Sequence, residues 1–360
     1  MRFAAAQALI DQAISERACP AASVDVGRAS GSLWQYASGA LTYDSDAPAC
    51  TPDTVFDLAS LTKVIATASI AMRAVAAGGL SLDMPIGDVL PEWDNGDRRH
   101  VHVRHLLDHS SGLPAHARLW TAAAGRAEYR EAIDRLTLER APGVASVYSD
   151  PGFILLGLLL EQVGRAPLDY QFYQFGQIAA RQFGQIAGRP AIGYLPPPDW
   201  RLRIAPTEFD EWRGRLIKGE VHDENAAAIG GVAGHAGLFG TAPAVGAFAR
   251  LVLRAFVEDT DLGPAHLMRT FATPTGVPHS SRALGWDTML PTSSCGTRMS
   301  AAAIGHTGFT GTSLWIDPAK DLYVVLLTNR VYPTRLNTQW ASRRPGIHDA
   351  IVDAIAPDLG

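Results

Sequence analysis

Strand patterns occupy the two ends of this 360-residue chain, whereas its long middle part is patterned as helices. Residues 21–26 and 32–38 flank a Gly-Arg-Ala-Ser-Gly turn, and residues 313–316 and 322–328 flank Asp-Pro-Ala-Lys-Asp. Both arrangements are typical of antiparallel hairpins. Because strands must pair to bury their apolar faces, this distribution favours one antiparallel sheet built from both chain ends.

The helical patterns complete a prediction of an α+β fold. Helices are predicted at about 3–13 and 347–355, and we expect these terminal helices to flank the sheet. Further helices are predicted between the strand regions, at about 60–77, 102–109, 127–138, 151–163 and 242–257. The predicted architecture is an α/β sandwich of residues 1–58 and 270–360, a mostly helical insertion of residues 59–269, and an active site in the cleft between them.

Composition and charge exclude several classes of protein. The chain is 47% hydrophobic and 19% charged, as globular proteins are, and its net charge of −5 predicts no nucleic-acid partner. No apolar run reaches membrane-spanning length, so no membrane association is expected. The first residues lack the apolar segment of a secretory signal, and the three cysteines lack CxxC spacing. We therefore expect a cytoplasmic protein, or a periplasmic one if a leader was removed.

One serine–lysine pair carries the first chemical signal. Ser60 and Lys63 form S-x-x-K at a predicted helix start, and residues three apart share a helix face. The chain has only 3 lysines against 28 arginines, and Lys63 stands where a deprotonatable amine could activate a serine nucleophile. That role requires burial to lower the pKa of Lys63. The alternative is an ordinary helix start with Ser60 as N-cap and Lys63 in solvent.

Two more segments could complete an acyl-transfer site. Tyr148-Ser-Asp150 precedes an apolar helix, so Tyr148 could exchange a proton with the lysine. Alternatively, Tyr148 is a core aromatic residue and Asp150 caps the helix. The segment 305–312, Gly-His-Thr-Gly-Phe-Thr-Gly-Thr, permits close backbone approach to a ligand, and the N–H of Phe309 could bind an oxyanion. Its alternative is a glycine-rich turn into an edge strand.

Together, the three segments resemble the serine β-lactamase and penicillin-binding-protein superfamily. The most similar branch contains class C β-lactamases, related D,D-peptidases and β-lactamase-like carboxylesterases. Its motifs S-x-x-K, Y-x-N and K-T-G are matched by Ser60–Lys63, Tyr148–Asp150 and His306–Gly308. Residues 103–114, 221–226 and 234–241 are also similar, so the resemblance covers about 10 to 355.

This resemblance implies a β-lactamase/transpeptidase-like fold and a reaction through an acyl-enzyme. Ser60 would be the nucleophile, Lys63 and Tyr148 would move protons, and the N–H groups of Ser60 and Phe309 would hold the oxyanion. Substrate contacts would come from Asp150, His306, Thr307 and Gly308. The reaction implied needs no cofactor and no metal.

Two departures from the family motifs bear on the substrate. Asp150 replaces an asparagine and could either pair with Lys63, raising its pKa, or hold a water. His306 replaces a lysine that binds carboxylates, and neutral imidazole is a weaker anchor. Both argue against an efficient β-lactamase.

The expected substrate is therefore a small carboxylic ester, a prediction compatible with weak β-lactam turnover. The alternatives are a D-amino-acid peptidase or amidase, a β-lactamase, and a non-enzymatic penicillin-binding sensor that stays acylated. In each case the partner is a small molecule that contains an ester or amide bond. The oligomeric state is left open.

Histidine clusters offer a competing interpretation as a metal site. His222-Asp223-Glu224 lacks the i, i+4 spacing of a helix-borne zinc site, so we expect a buried hydrogen-bond network under the active-site rim. His105 and His109 do have that spacing, but the resemblance implies that they are scaffold residues at a helix end.

Overall fold

A six-stranded antiparallel sheet joins the two ends of the chain. The structure is a computed structural model that describes residues 2–179, 185–186 and 189–356. The strands of this sheet are β1 (Ala21–Arg28), β2 (Gly31–Gly39), β10 (Asp287–Thr288), β11 (Ile304–Thr307), β12 (Ser313–Asp317) and β13 (Leu322–Thr328). Their order is β10-β11-β12-β13-β1-β2, with Val24 of β1 opposite Leu326 of β13. The predicted pairing of both chain ends is confirmed.

The helices described include the terminal pair and those between the strand regions. They are α1 (Ala4–Ser15), α2 (Ser69–Ala76), α3 (Val103–Leu107), α4 (Gly125–Asp134), α5 (Asp150–Gly164), α6 (Leu168–Ala179), α7 (Glu224–Ala228), α8 (Ala242–Ala255), α9 (Ala265–Ala272) and α10 (Gln339–Ile355). A π-helical segment, Lys63–Ala68, leads directly into α2. Short 3₁₀ turns are Ile86–Asp88, Pro91–Trp93, Arg98–His100, Leu119–Thr121 and Pro198–Trp200.

Short strands form three smaller pairings. β3 (Phe56–Asp57), β6 (Ile192–Tyr194) and β9 (Leu238–Gly240) make a three-stranded sheet, and β4 (Gln185–Ile186) pairs with β5 (Arg189–Pro190). β7 (Phe209–Asp210) pairs with β8 (Arg215–Leu216). The three-stranded sheet matters most for function because β3 leads into the turn that carries Ser60.

The large sheet separates two hydrophobic cores. Alternate side chains of a strand point to opposite faces. On β13, Val324 and Leu326 therefore pack against the terminal helices, whereas Val325 and Leu327 belong to the core shared with α8 and the helices beyond it. Helices α1 and α10 lie together on the first face, as expected for terminal helices flanking a sheet.

The fold class predicted from the sequence is confirmed, with differences in detail. Helix α10 begins eight residues before the predicted start, and Pro345 lies inside it. Helix α8 falls within the range 59–269, yet it packs on the large sheet against β1 and β13. The sheet is thus covered on both faces, and the division at 58/59 and 269/270 stays a prediction. No helix in the described ranges is both long and apolar enough to cross a membrane.

Candidate active site

A cavity of about 480 Å³ collects the residues singled out from the sequence. Seven of the eight predicted site residues line it: Ser60, Tyr148, Asp150, His306, Thr307, Gly308 and Phe309. The eighth, Lys63, is fully buried and reaches two of them with its ammonium group. Side chains separated by up to about 250 positions in the sequence therefore face one space.

A strained turn presents Ser60. The preceding residue, Ala59, has a φ of +48°, a conformation that L-residues adopt rarely and mostly at functional sites. The buried Asp57 carboxylate stabilises this turn by accepting hydrogen bonds from the N–H groups of Ala59 (2.8 Å) and His222 (2.7 Å). Burial raises the pKa of Asp57. Sequence reasoning missed Asp57, whose place two residues before Ala59 fits an Asx-type turn.

Lys63 is held by three oxygen atoms. Its Nζ donates to Ser60 Oγ at 3.0 Å, to Asp150 Oδ1 at 2.7 Å and to the His235 carbonyl at 3.3 Å. Burial alone would lower the pKa of Lys63, but the Asp150 carboxylate and Tyr148 outweigh it and raise that pKa overall. The expectation of a lowered pKa is wrong in this structure, because the partner at position 150 is a carboxylate rather than an amide.

Tyr148 lies against the same lysine and serine. Its hydroxyl interacts with both Lys63 and Ser60, and burial raises its pKa despite the nearby ammonium charge. The ammonium nitrogen of Lys63 and the guanidinium of Arg282 lie 4.7 and 5.1 Å from the Tyr148 ring centre. The imidazole of His109 packs against the ring at a tilt of 37°, with 4.6 Å between the ring centres. Tyr148 is thus neutral at rest and fixed between cations, so the alternative of a simple core aromatic does not describe it.

Asp150 bridges the buried lysine to the open cavity. One carboxylate oxygen accepts from Lys63, and the other lies 3.1 Å from Nδ1 of His116, whose side chain is 75% exposed. Burial would raise the pKa of Asp150, but the Lys63 charge holds it well below its usual range. The hydrogen bond to Asp150 raises the pKa of His116. Of the two roles considered for Asp150, the structure shows the pairing with Lys63.

His116 is a residue of this site that motif reasoning missed. It lies between the family-like segment 103–114 and the next helix, in a loop whose sequence carries no helix or strand pattern. Its only sequence signal is position, directly after a segment that resembles the family.

The third motif forms an edge of the cavity next to the Ser60 turn. The hydroxyl groups of Thr310 and Thr312 donate to the carbonyls of Asp57 and Leu58, and this ties the two segments together. A Cβ at Gly308 would lie only 2.7 Å from the Leu58 carbonyl oxygen, so the approach requires glycine. The structure therefore explains the glycine through close backbone packing.

His306 is buried and uncharged. Its Nδ1 lies 2.8 Å from the Thr307 carbonyl, and its buried Nε2 has no partner among the residues described. Burial lowers the pKa of His306 to about 4. A neutral imidazole therefore stands where the family lysine would supply a positive charge.

The predicted oxyanion donors have free N–H groups. Neither Ser60 nor Phe309 donates a backbone hydrogen bond within the part of the chain that the structure describes. Both residues line the cavity. Their joint role as an oxyanion hole remains a prediction.

The His222–Asp223–Glu224 cluster forms a set of polar side-chain contacts in the wall of the cavity. His222 pairs with Glu208 and Asp223 with His235, each at 2.7 Å, while Arg335 donates to Glu224 at 2.8 Å. These contacts match the predicted network. The second pair, His105 and His109, binds two separate backbone groups. His105 accepts a hydrogen bond from the N–H of His102, and His109 accepts one from the N–H of Ser149.

The family profile of the β-lactamases matches residues 6–345. The chain belongs to the beta-lactamase family. The resemblance predicted from the three motifs is thereby confirmed, and it covers nearly the whole of this family member.

Curated relatives of this beta-lactamase-family protein are named as a carboxypeptidase and an amidase. A putative D-alanyl-D-alanine carboxypeptidase of Escherichia coli K12 is 30% identical over 311 residues, covering 78% of this chain and 70% of that protein. An N-acetylmuramyl-L-alanine amidase of Bacillus subtilis 168 is 31% identical over 301 residues, covering 77% and 68%.

Solved structures support the same fold at lower identity. EstCE1, described as a hydrolase with promiscuous acyltransferase activity, has a TM-score of 0.75 at 20% identity, covering 98% of both chains. A class C beta lactamase from Rhodobacter sphaeroides has a TM-score of 0.73 at 20% identity, covering 99% of both. The chain therefore has the fold of the beta-lactamase-family serine hydrolases.

Proposed function

We propose that the protein is a serine hydrolase that forms an acyl-enzyme on Ser60. The observation that carries this proposal is the contact of the buried Lys63 amine with Ser60 Oγ at 3.0 Å, beside the Tyr148 hydroxyl. A nucleophile and a base within hydrogen-bond reach, the base oriented by a third group, is the arrangement of nucleophilic catalysis.

The protonation states of Lys63 and Tyr148 determine which form of the site can react. At rest Lys63 carries a proton and Tyr148 is neutral, so neither can accept the Ser60 proton. Loss of one proton from this group to solvent leaves a base beside Ser60. The Oγ–carbon bond then forms as the Ser60 proton moves to Lys63 or Tyr148, and that proton passes to the leaving group. Water attacks the ester of Ser60 in the second half of the reaction, which releases the acid and restores the serine.

An amide is the substrate that this site fits best. An amine leaves only when it receives a proton, and in the reactive form the proton taken from Ser60 lies on Lys63 or Tyr148, from which it can pass to the leaving nitrogen. The two curated relatives are named for a carboxypeptidase and an amidase. We infer a D-amino-acid peptide or a related cell-wall amide as the substrate class.

A small carboxylic ester is the second candidate. The buried, neutral His306 favours it, because this position supplies no charge for a substrate carboxylate. A third possibility is a sensor that is acylated without turnover. It would release one burst of product, equal in molar amount to the enzyme, and then no more.

The test combines active-site labelling with a substrate panel. A fluorophosphonate should add one adduct to the peptide carrying Ser60 and none to the Ser60→Ala variant, whereas Ser81→Ala, a change at an exposed serine, should label normally. Labelling that survives Ser60→Ala would refute the assignment of the nucleophile. Steady-state rates with D-Ala-D-Ala peptides, a muramyl-L-alanine amide, p-nitrophenyl esters and nitrocefin then rank the substrate classes.

A further inference from the structure

Arg344 of α10 is a buried cation without a counter-ion. Only 7% of the residue is exposed, and in the described chain its side chain makes no hydrogen bond or ion pair. Burial, followed by the charge of Arg330, lowers the pKa of Arg344 to about 10, so the guanidinium is still charged at neutral pH. Removing a charge from water without a compensating partner is unfavourable, so such an arginine needs an explanation.

A second cavity borders the side chain of Arg344. The cavity has a volume of about 380 Å³, and Arg344 lines it together with hydroxyl side chains such as those of Ser280, Ser281 and Thr292. Hydroxyl groups and a guanidinium are the donors that an anion requires. The site is therefore built for an anionic group rather than for an apolar one.

This cavity adjoins the catalytic cavity. Arg282, Asp287 and Thr307 line both spaces, so the two cavities are immediate neighbours. Arg282 and Asp287 form an ion pair with each other. Arg344 is then the charge that remains uncompensated, and a single negative charge on a ligand would balance it.

We propose that this second cavity is a carboxylate subsite, in which the guanidinium of Arg344 binds a carboxylate group of the molecule that occupies the catalytic cavity. The link to a substrate rests on the proposed function, whereas binding of a carboxylate does not. The planar fork of arginine matches a carboxylate through two parallel hydrogen bonds. The negative Asp287 in the shared wall disfavours a dianion such as phosphate.

Acetate is the probe for the subsite itself. Thermal unfolding of the Ser60→Ala enzyme is followed as acetate replaces chloride at constant ionic strength, because a ligand that binds the folded state raises the melting temperature. We expect acetate to raise it, and Arg344→Met to abolish the rise. Arg343→Met is the matched control: Arg343 is exposed, pairs with Glu16 and should leave the acetate effect intact.

Each outcome decides the proposal. Equal melting temperatures in acetate and chloride, or an acetate effect that survives Arg344→Met, would overturn it. If Arg344→Met does not fold, Arg344→Lys tests the same point, since it should retain a weakened acetate effect. A purely structural role predicts instead that Arg344→Met unfolds at a lower temperature in chloride, with an unchanged response to acetate.

A second experiment, with peptide substrates, distinguishes failure of this subsite from failure of the proposed function. A D-Ala-D-Ala peptide and its C-terminal amide are compared in an otherwise wild-type enzyme. Arg344→Met should lower kcat/KM for the free carboxylate by about tenfold or more, the scale of a charge-assisted contact, and leave the amide unchanged. Turnover of p-nitrophenyl acetate should persist, which shows that Ser60 still works. Equal losses for both peptides would refute carboxylate recognition by Arg344.

Discussion

At the scale of single residues, the replacement of asparagine by Asp150 changes the protonation state of the whole site. The carboxylate balances the positive charge of Lys63. It also extends a hydrogen-bonded chain that runs from Ser60 through Lys63 and Asp150 to His116 at the cavity surface. In the resting state the lysine is therefore an acid. It becomes a base only after this chain loses a proton.

The change Asp150→Asn tests this directly. It removes the charge that raises the pKa of Lys63, so burial should dominate and the pKa should fall. Since the neutral amine exists only above its pKa, we expect the rising limb of kcat/KM against pH to move to lower pH by about one unit or more. A limb that stays in place would show that another group controls the activity.

Lys63→Arg should abolish most activity. A guanidinium stays protonated at any practical pH, so it cannot accept the Ser60 proton, although it can still pair with Asp150. We expect a loss on the order of 10² or more in kcat/KM. Lys320→Arg, in the turn between β12 and β13, serves as the control. Near-normal rates for Lys63→Arg would mean that a different base operates.

At the scale of secondary-structure elements, close backbone contacts position the side chains of the proposed catalytic site. Gly157 of α5 lies against Gly234, and a Cβ on Gly234 would come within 3.0 Å of the Gly157 nitrogen. This contact holds the segment whose His235 carbonyl accepts from Lys63. The small residues therefore set the depth at which the lysine is buried.

Gly234→Ala should destabilise the protein because the added methyl group meets backbone that cannot move aside. Overpacking of this kind costs roughly 1–3 kcal/mol. Gly346→Ala is the control, because a Cβ on Gly346 meets nothing within 4 Å. Replacing a glycine inside helix α10 should stabilise the fold by about 0.5–1 kcal/mol. Free energies of unfolding from urea titration check both values. A neutral Gly234→Ala would show that the segment can shift.

Much of this organisation could be predicted from the sequence, since local patterns determine it. The hairpins, helix α5 and the three motifs depend on periodicity and on short spacings such as Ser60 to Lys63. The Asp150–His116 contact and the pKa of Lys63 could not be derived from such patterns, because they depend on distances between loops. Helix α6 is different: Leu168, Phe172 and Phe175 recur at helical spacing and are buried in the core, so a pattern that was present in the sequence was overlooked.

At the scale of the whole molecule, buried neutral histidines make stability depend on pH. Burial lowers the pKa of His348 to about 3 and that of His306 to about 4. An unfolded chain takes up these protons below about pH 6.5 whereas the folded chain does not, so stability falls as the pH drops.

His348→Gln isolates one such contribution. Glutamine can keep the contact that His348 makes with Ser313 but takes up no proton in either state. Between pH 6 and pH 4, the loss of unfolding free energy should become shallower by at most roughly 1.4 kcal/mol per pH unit. Urea denaturation at several pH values measures it. An unchanged slope would indicate that His348 is not buried in its neutral form.

The pairing of β1 with β13 also sets an order of events in time. Asp25 and Tyr323, hydrogen-bonded partners on these strands, are 298 positions apart in the chain. During synthesis, β1 must therefore wait until β13 has been made before it can pair with it. Contacts of such long range slow folding, so the nascent protein should stay without a finished cleft until β13 has emerged. On this view, the site around Ser60, the proposed nucleophile, is not complete before both strands are paired.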